Sequence, residues 1–276
     1  MSIDDDATRT VPLARWRGDE CETTHDAVAR EEPLEIQVRG APLAVVMRTP
    51  GHDLELVRGF LLTERIVAAA ADIVAVRHCT IVEYPEAEDN VVTVTLRPGV
   101  GLDLEARRRT LVAGASCGVC GKASIEQALE VAPPLDDDSR FAPAWLAALA
   151  AQLAAAQPGF ARTGGLHAAA LFDPSGELLV AREDVGRHNA VDKVIGWASE
   201  RDRLPLAGHA LMVSGRVSFE IAQKALAARI PLVAAVSAPS SLAVELAASA
   251  RLTIVAFLRG DRFNVYGVQA RIERDR

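Results

Sequence analysis

Two cysteines separated by two residues, Cys117 and Cys120, are the side chains in this sequence best suited to covalent chemistry. They stand in Gly114-Ala115-Ser116-Cys117-Gly118-Val119-Cys120-Gly121-Lys122. Ser124 followed three residues on by Gln127 matches a capping box, which puts the pair just before a helix N-terminus. The macrodipole there and the Lys122 ammonium both favour the thiolate, the nucleophilic form of cysteine. Gly114, Gly118 and Gly121 let the backbone bend and leave the sulfurs uncovered. On these residues four readings stand open. Half of a structural zinc site would need two more ligands, and Cys21 and Cys79 are isolated from each other. A thioredoxin-like exchanger usually carries an aromatic residue where Ser116 stands. A sulfur-handling pair takes a sulfur atom as a persulfide and passes it on, which suits an exposed electropositive loop. The fourth reading is two ordinary thiols in a turn.

Four polar stretches in the second half suit anion binding. Arg182-Glu183-Asp184-Val185-Gly186-Arg187-His188-Asn189 falls between a strand and a helix. In open α/β sheets that is where ligands bind, although Asn189 also reads as a helix N-cap. Ser214-Gly215-Arg216-Val217-Ser218 and Ser237-Ala238-Pro239-Ser240-Ser241 each lead from an apolar strand into a helix, whose first N–H groups accept an anion. Phe257-Leu258-Arg259-Gly260-Asp261-Arg262 has two arginines for phosphate and an aspartate for the N1–H and N2–H edge of guanine. The plain alternative there is a surface turn. There is no GxGxxG fingerprint and no Gx4GK[ST] loop. The deaminase zinc signature is absent too: His167 is followed by Ala168 and Ala169, and no proline precedes Cys117.

The elements that must position these residues follow from periodicity and turn chemistry. Residues 1–27 are polar and aperiodic and read as a loose extension. Strands are expected at 33–38 and 41–48, a helix capped by Asp53 over 54–66, and strands at 73–82 and 91–96. A short helix is expected at 125–131 and a Pro/Asp-rich linker at 133–138. A helix over 144–156 then leads to strands 167–172 and 178–181. Helices 189–199, 218–229 and 240–249 alternate with strands 208–214, 231–237 and 252–257, which implies βαβ units and a mainly parallel sheet. The expected organisation is therefore a loose extension (1–27), an N-terminal α/β subdomain ending in the Cys loop (28–132) and a second α/β domain (140–276).

Composition sets the outer bounds. The chain has 276 residues, half of them apolar and 24% charged, which is ordinary globular usage. Four cysteines are too few for a disulfide scaffold. The start carries Asp4, Asp5 and Asp6 rather than a signal peptide, and no run of about 18 apolar residues exists, so a cytoplasmic protein with no membrane partner is expected. Net charge is −7, divided as −10 over residues 1–140 and +3 over 141–276. An acidic whole argues against nucleic-acid binding. Of 30 basic residues, 27 are arginine and three are lysine. That ratio by itself fits either genome composition or phosphate recognition.

Taken in order, Cys117-Gly-Val-Cys120-Gly, Thr163-Gly-Gly-Leu-His167, Arg182 to Asn189, Ser214-Gly-Arg216 and Phe257 to Tyr266 resemble the FdhD family, from about residue 30 to the C-terminus. The resemblance implies a cytidine-deaminase-like C-terminal domain with a smaller α/β N-terminal domain, assembled as a homodimer. It implies a sulfurtransferase that takes sulfur from a cysteine desulfurase and holds it as a persulfide on Cys117, with Cys120 as helper. The acceptor it implies is the molybdenum bis(molybdopterin guanine dinucleotide) cofactor of formate dehydrogenase. Phe257, Leu258, Arg259, Gly260, Asp261 and Arg262 then form the cofactor-binding segment, with GDP as a mimic and no permanently bound metal. Proximity to the helix favours Cys120 as the thiolate, whereas the resemblance favours Cys117. The rival reading is a chaperone that binds the cofactor without transferring sulfur.

Overall fold

The computed structural model describes residues 7–79, 89–101 and 133–273. Cys117, Cys120, the capping box and the helix expected at 125–131 lie outside the described residues.

The chain opens on an antiparallel hairpin of β1 (Thr8–Arg17) and β2 (Glu20–Ala29), paired in register from Thr8↔Ala29 to Arg17↔Glu20. This corrects the loose extension expected at 1–27. No residue of the hairpin is fully buried: Val11, Leu13 and Arg15 are only half-buried on one face of β1, so the burial period is weak and backbone pairing defines the element.

A four-stranded sheet follows, in the order β4-β3-β6-β5, built from β3 (Glu32–Val38), β4 (Ala41–Arg48), β5 (Ile73–His78) and β6 (Val91–Leu96). Helix α1 (Asp53–Thr63) covers it, and Leu34, Ile36, Val38, Val92 and Val94 pack with Leu56, Val57 and Leu61. The alternation of apolar positions along β3 is the period expected of a strand with one face buried. Asp53 is not the N-cap. His52 holds that position with φ 58°, and Asp53 instead takes the Arg48 guanidinium at 2.9 and 3.0 Å.

The second sheet has six strands in the order β12-β11-β10-β9-β7-β8. They are β7 (His167–Phe172), β8 (Leu178–Asp184), β9 (Ala210–Val213), β10 (Leu232–Ala235), β11 (Thr253–Arg259) and β12 (Arg262–Gly267). The β9–β10 and β10–β11 pairs are parallel, while β7–β8, β7–β9 and β11–β12 are antiparallel. The mainly parallel sheet expected from the alternation is thus a parallel centre with antiparallel flanks. Periodicity cannot tell the two apart, because both use the same alternation of faces.

One face of this sheet (Ala169, Leu171, Val213, Val233, Ile254) packs under α4 (Arg187–Glu200), α5 (Phe219–Ala227) and α6 (Ser241–Ser249). The opposite face (Ala168, Ala170, Met212, Ala234, Val255) packs against Leu146, Leu149 and Leu153 of α2 (Pro143–Ala155). A short α3 (Pro158–Thr163) precedes β7. Among the described residues, no helix is long and apolar enough to cross a membrane.

The two sheets are joined through α1 and α4, which approach closely at two glycines. A Cβ on Gly59 would stand 1.9 Å from the Asp192 carbonyl oxygen, and one on Gly196 would stand 1.7 Å from that of Glu55. Only glycine permits such an approach. Three polar nodes flank the crossing. Arg182 donates to both Glu55 carboxylate oxygens at 2.6 and 2.9 Å. Buried Lys193 pairs with Asp184 at 2.7 Å and donates to the Thr49 carbonyl at 2.9 Å. Buried Lys224 donates to Asp192, Glu64 and Thr63 at 2.8–3.0 Å. Asp192 and Glu64 hold the Lys224 ammonium protonated, against the cost of its burial.

Candidate functional site

Strand direction decides which residues meet. Strands β8, β9, β10 and β11 all end at one edge of the six-stranded sheet, and β7 and β12 begin there. That edge therefore collects His167, Asp184–His188, Ser214–Ser218, 236–240 and Phe257–Arg262. Cross-loop hydrogen bonds tie them into a continuous rim. The Ser214 N–H donates to the Ala168 carbonyl, and the Ala168 N–H to Ser214 Oγ, both at 2.9 Å. Val217 N–H donates to Ala238 O at 3.1 Å, Ser240 N–H to Val217 O at 3.0 Å, and Phe257 N–H to Ser237 O at 3.1 Å.

The stretch Arg182–Asn189 divides into residues that hold the fold and residues that face the rim. Arg182 clasps Glu55. Glu183 accepts the Gly159 and Phe160 N–H groups at 2.8 Å. Asp184 is fully buried and accepts from the N–H groups of Thr49 and Gly186 and the Asn189 amide, besides its pairing with Lys193. Asn189 is not a cap, since Gly186 holds that position, and its amide also donates to the Met47 carbonyl at 2.8 Å. Only Arg187 and His188 are left for a ligand.

Arg187 opens α4, and its buried Nε has no hydrogen-bond partner among the described residues. A Cβ on Gly215 would lie 3.4 Å from His167 Nδ1 and 3.7 Å from Arg187 Cδ, so these two side chains flank the Gly215 turn. Burial, and then the charges of Arg187 and His188, hold the His167 ring neutral, below its usual imidazole range. His188 Nε2 lies 3.5 Å from Ser218 Oγ and 3.8 Å from Glu220 Oε2. Burial opposes ionisation of Glu220, but hydrogen bonds from His188 and Ser218 outweigh it and bring its pKa down to about 2. The rim thus combines a cation with a spare donor, a neutral imidazole and a carboxylate-oriented imidazole beside two helix N-termini. Such a set has the chemistry to hold and orient an anion.

The β11–β12 hairpin supplies the far end of the rim. A β-bulge between Ala256 and Arg259 puts Phe257 at φ 55°, a left-handed conformation that costs a bulky residue roughly 1–3 kcal/mol. It leaves the Phe257 ring 43% exposed. Arg259 pairs in register with Arg262, and Gly260, at φ 60°, makes the turn. Of the six positions expected to bind cofactor, Phe257, Arg259, Gly260, Asp261 and Arg262 are exposed at this edge. Leu258 is not: its side chain is fully buried in the core over α2, so its part is to anchor the hairpin. Ser237–Ser241 lies on the same rim, with Ser240 Oγ accepting the Ala243 N–H at 3.3 Å as an N-cap. Sequence reasoning missed the Glu220 partner of His188 and the placement of His167 beside Arg187. Both depend on strand order. Among the described residues no group of three His, Cys, Asp or Glu side chains is placed to hold a metal ion.

These features define a mixed α/β protein with an electropositive sheet edge built without a P-loop or dinucleotide fingerprint. The chain belongs to the FdhD/NarQ family, whose model it matches over residues 29–273. It is 54% identical over 266 residues to the sulfur carrier protein FdhD of Mycobacterium tuberculosis, covering 94% of this chain and 96% of that one. To the sulfur carrier protein FdhD of Streptomyces coelicolor it is 48% identical over 269 residues, covering 96% and 95%. The fold matches the crystal structure of a protein described as a formate dehydrogenase accessory protein from Desulfotalea psychrophila. The TM-score is 0.76 at 24% identity, over 97% of this chain and 100% of that one.

Proposed function

We propose that the protein is a sulfur carrier that receives sulfur from a cysteine desulfurase and delivers it to the molybdenum bis(molybdopterin guanine dinucleotide) cofactor destined for formate dehydrogenase. The observation that carries the reading is the hairpin at the rim. Backbone strain at Phe257 is retained in order to expose an aromatic ring beside Arg259, Asp261 and Arg262, a set suited to stack and pair a guanine base. Arg187, His167 and the Gly215 turn, on the same edge, suit the phosphates. Family membership and the names of the relatives support the sulfur chemistry. The cytidine-deaminase-like reading of the C-terminal sheet, the cytoplasmic setting and the homodimer belong to the same proposal.

In this reading the Cys117 thiolate attacks the outer sulfur of the desulfurase persulfide. The S–S bond there breaks, the desulfurase cysteine leaves as a thiolate, and Cys117 holds the sulfur as a persulfide. Release as sulfide requires two electrons. The Cys120 thiolate supplies them by attacking the Cys117 sulfur: the persulfide bond breaks, a Cys117–Cys120 disulfide forms, and hydrosulfide departs to the molybdenum of the bound substrate. A dithiol reductant then restores both thiols.

Intact-mass measurement after incubation with a desulfurase and cysteine tests the first step. One added sulfur atom on the wild type, absent from Cys117→Ala, is expected. No addition, or addition undiminished in the Cys117→Ala/Cys120→Ala double variant, refutes it. Calorimetric titration with GDP tests the pocket, with binding weakened at least tenfold in Arg259→Ala/Arg262→Ala. If the cysteine variants still restore formate dehydrogenase and the arginine variants do not, the protein is a cofactor chaperone instead.

A further inference from the structure

At the opposite end of the six-stranded sheet, where β11 begins and β12 ends, a cleft of about 360 Å³ is lined by Arg140, Arg251 and Arg271 together with Asp137 and Asp138. We infer that this cleft is a second anion site, separate from the rim, that takes a phosphate group, free or carried on a small metabolite. The volume lies at the lower end of the range for small-molecule sites.

Arg271 is only 3% exposed, yet no carboxylate is paired with it among the described residues. Its guanidinium donates to the carbonyls of Arg251 and Asp137, both at 2.6 Å, and to Thr253 Oγ1 at 3.3 Å, and its buried Nε has no partner among the described residues. A buried cation that meets only neutral acceptors lacks the counter-charge that buried ions normally require. The aspartates nearby offset the cation only through their charge, with no ion pair to Arg271 among the described residues. The Asp137 carboxylate is occupied by the N–H groups of Ser139 and Gly208, both at 2.9 Å. Asp138 is 94% exposed and among the described residues meets only Arg251, at 3.4 Å, and that arginine is itself half exposed. Such a surface pair is cheap to open. Arg140 makes one long bond, 3.5 Å, to the Ala270 carbonyl. Three guanidinium groups therefore line one cleft with little committed charge between them, and guanidinium is the group whose planar fork matches phosphate oxygens. Burial and the neighbouring Arg251 charge both work against the Arg271 cation, with Asp137 opposing them, so an anion in the cleft also relieves Arg271.

Calorimetric titration of the full chain with inorganic phosphate at low ionic strength, against matched chloride, tests this. Saturable binding is expected, weakened at least tenfold in Arg140→Ala/Arg251→Ala. Both residues are exposed, so the double variant keeps the fold. Binding retained in Arg187→Ala separates the cleft from the rim, whatever becomes of the GDP and sulfur-transfer tests. Repeating the titration with uridine monophosphate distinguishes the sources: tighter binding than phosphate assigns an organic phosphate, and equal binding assigns the free ion. No saturable heat with either probe overturns the inference. So does phosphate binding that survives in Arg140→Ala/Arg251→Ala and is lost in Arg187→Ala.

Discussion

Gly196→Ala should destabilise the protein far more than a single methyl group suggests. The added Cβ would stand 1.7 Å from the Glu55 carbonyl oxygen and 2.9 Å from the Gly59 nitrogen, and both obstacles are backbone that cannot rotate away. To reach even 3.0 Å, α1 must retreat from α4 by about 1.3 Å. The same displacement stretches the 2.7 Å bond from Thr63 Oγ1 to Asp192 to about 4.0 Å and the 2.9 Å Arg182–Glu55 bond to about 4.2 Å, beyond hydrogen-bonding range. Two charge-assisted bonds, one buried and one partly buried, at about 1.5–3 kcal/mol each are then lost. Alanine's higher helix propensity returns about 1 kcal/mol. The expected net loss is about 2–5 kcal/mol, a large part of a typical domain stability of about 5–15 kcal/mol. Urea unfolding followed by circular dichroism measures it, with Gly101→Ala as control, because among the described residues a Cβ at Gly101 meets nothing within 4 Å. A loss below about 1 kcal/mol for Gly196→Ala would refute the claim that this glycine pair sets the spacing of the two sheets.

Three further outcomes follow from the same geometry. Burial, and next the charge of Arg182, depress the His52 pKa from 6.5 to about 4, so its protonation opposes folding: the stability from the neutral ring is complete above about pH 6.5 and is lost as pH falls towards 4. His52→Asn, which keeps a residue tolerant of φ 58°, should flatten that decline by about 1–2 kcal/mol after screening at a partly exposed ring, as read by urea midpoints from pH 7 to 4. Phe257→Gly removes a left-handed phenylalanine and should raise stability by about 1 kcal/mol while weakening GDP binding about tenfold; a variant that binds GDP as well as the wild type would remove the ring from the site. Lys193→Met leaves Asp184 buried with no cation and should cost about 3–5 kcal/mol in chemical denaturation, against less than about 1 kcal/mol for Arg259→Ala on the exposed hairpin.

Much of the second sheet was legible because its strands obey a simple period. His167–Phe172 has the bounds its sequence suggests, and α2 and the helices over β9–β11 fall within a few residues of expectation. What failed was whatever depends on a distant partner. The polar β1–β2 hairpin buries no face, so nothing in its composition separates it from a loose arm. Asp53 has the right residue type for a cap, but Arg48 folds back on it after the left-handed turn at His52. Leu258 sits inside a stretch that looks like a ligand loop, yet the bulge turns Phe257 outward and Leu258 into the core. The rim itself was half legible: each loop has anion-binding chemistry on its own, but only the strand order brings His167, Arg187 and Ser218 to one edge.

The arginine-to-lysine ratio, uninformative as a count, gains meaning from position. Lys193 and Lys224, the two described lysines, are both buried at the junction of the two sheets. Each ammonium meets a compact set of acceptors: Asp184, Thr49 and Glu183 for one, and Thr63, Glu64 and Asp192 for the other. A small tetrahedral donor satisfies acceptors converging on a point, which a planar fork of five N–H groups does not. At the two ends of the sheet Arg140, Arg251, Arg259 and Arg262 are exposed, with planar forks that suit oxygen pairs. The positive charge is therefore divided by position. Lysine at the junction, together with Arg182 on Glu55, fixes the two sheets to each other, and the arginines exposed at the ends carry the groups suited to an anion.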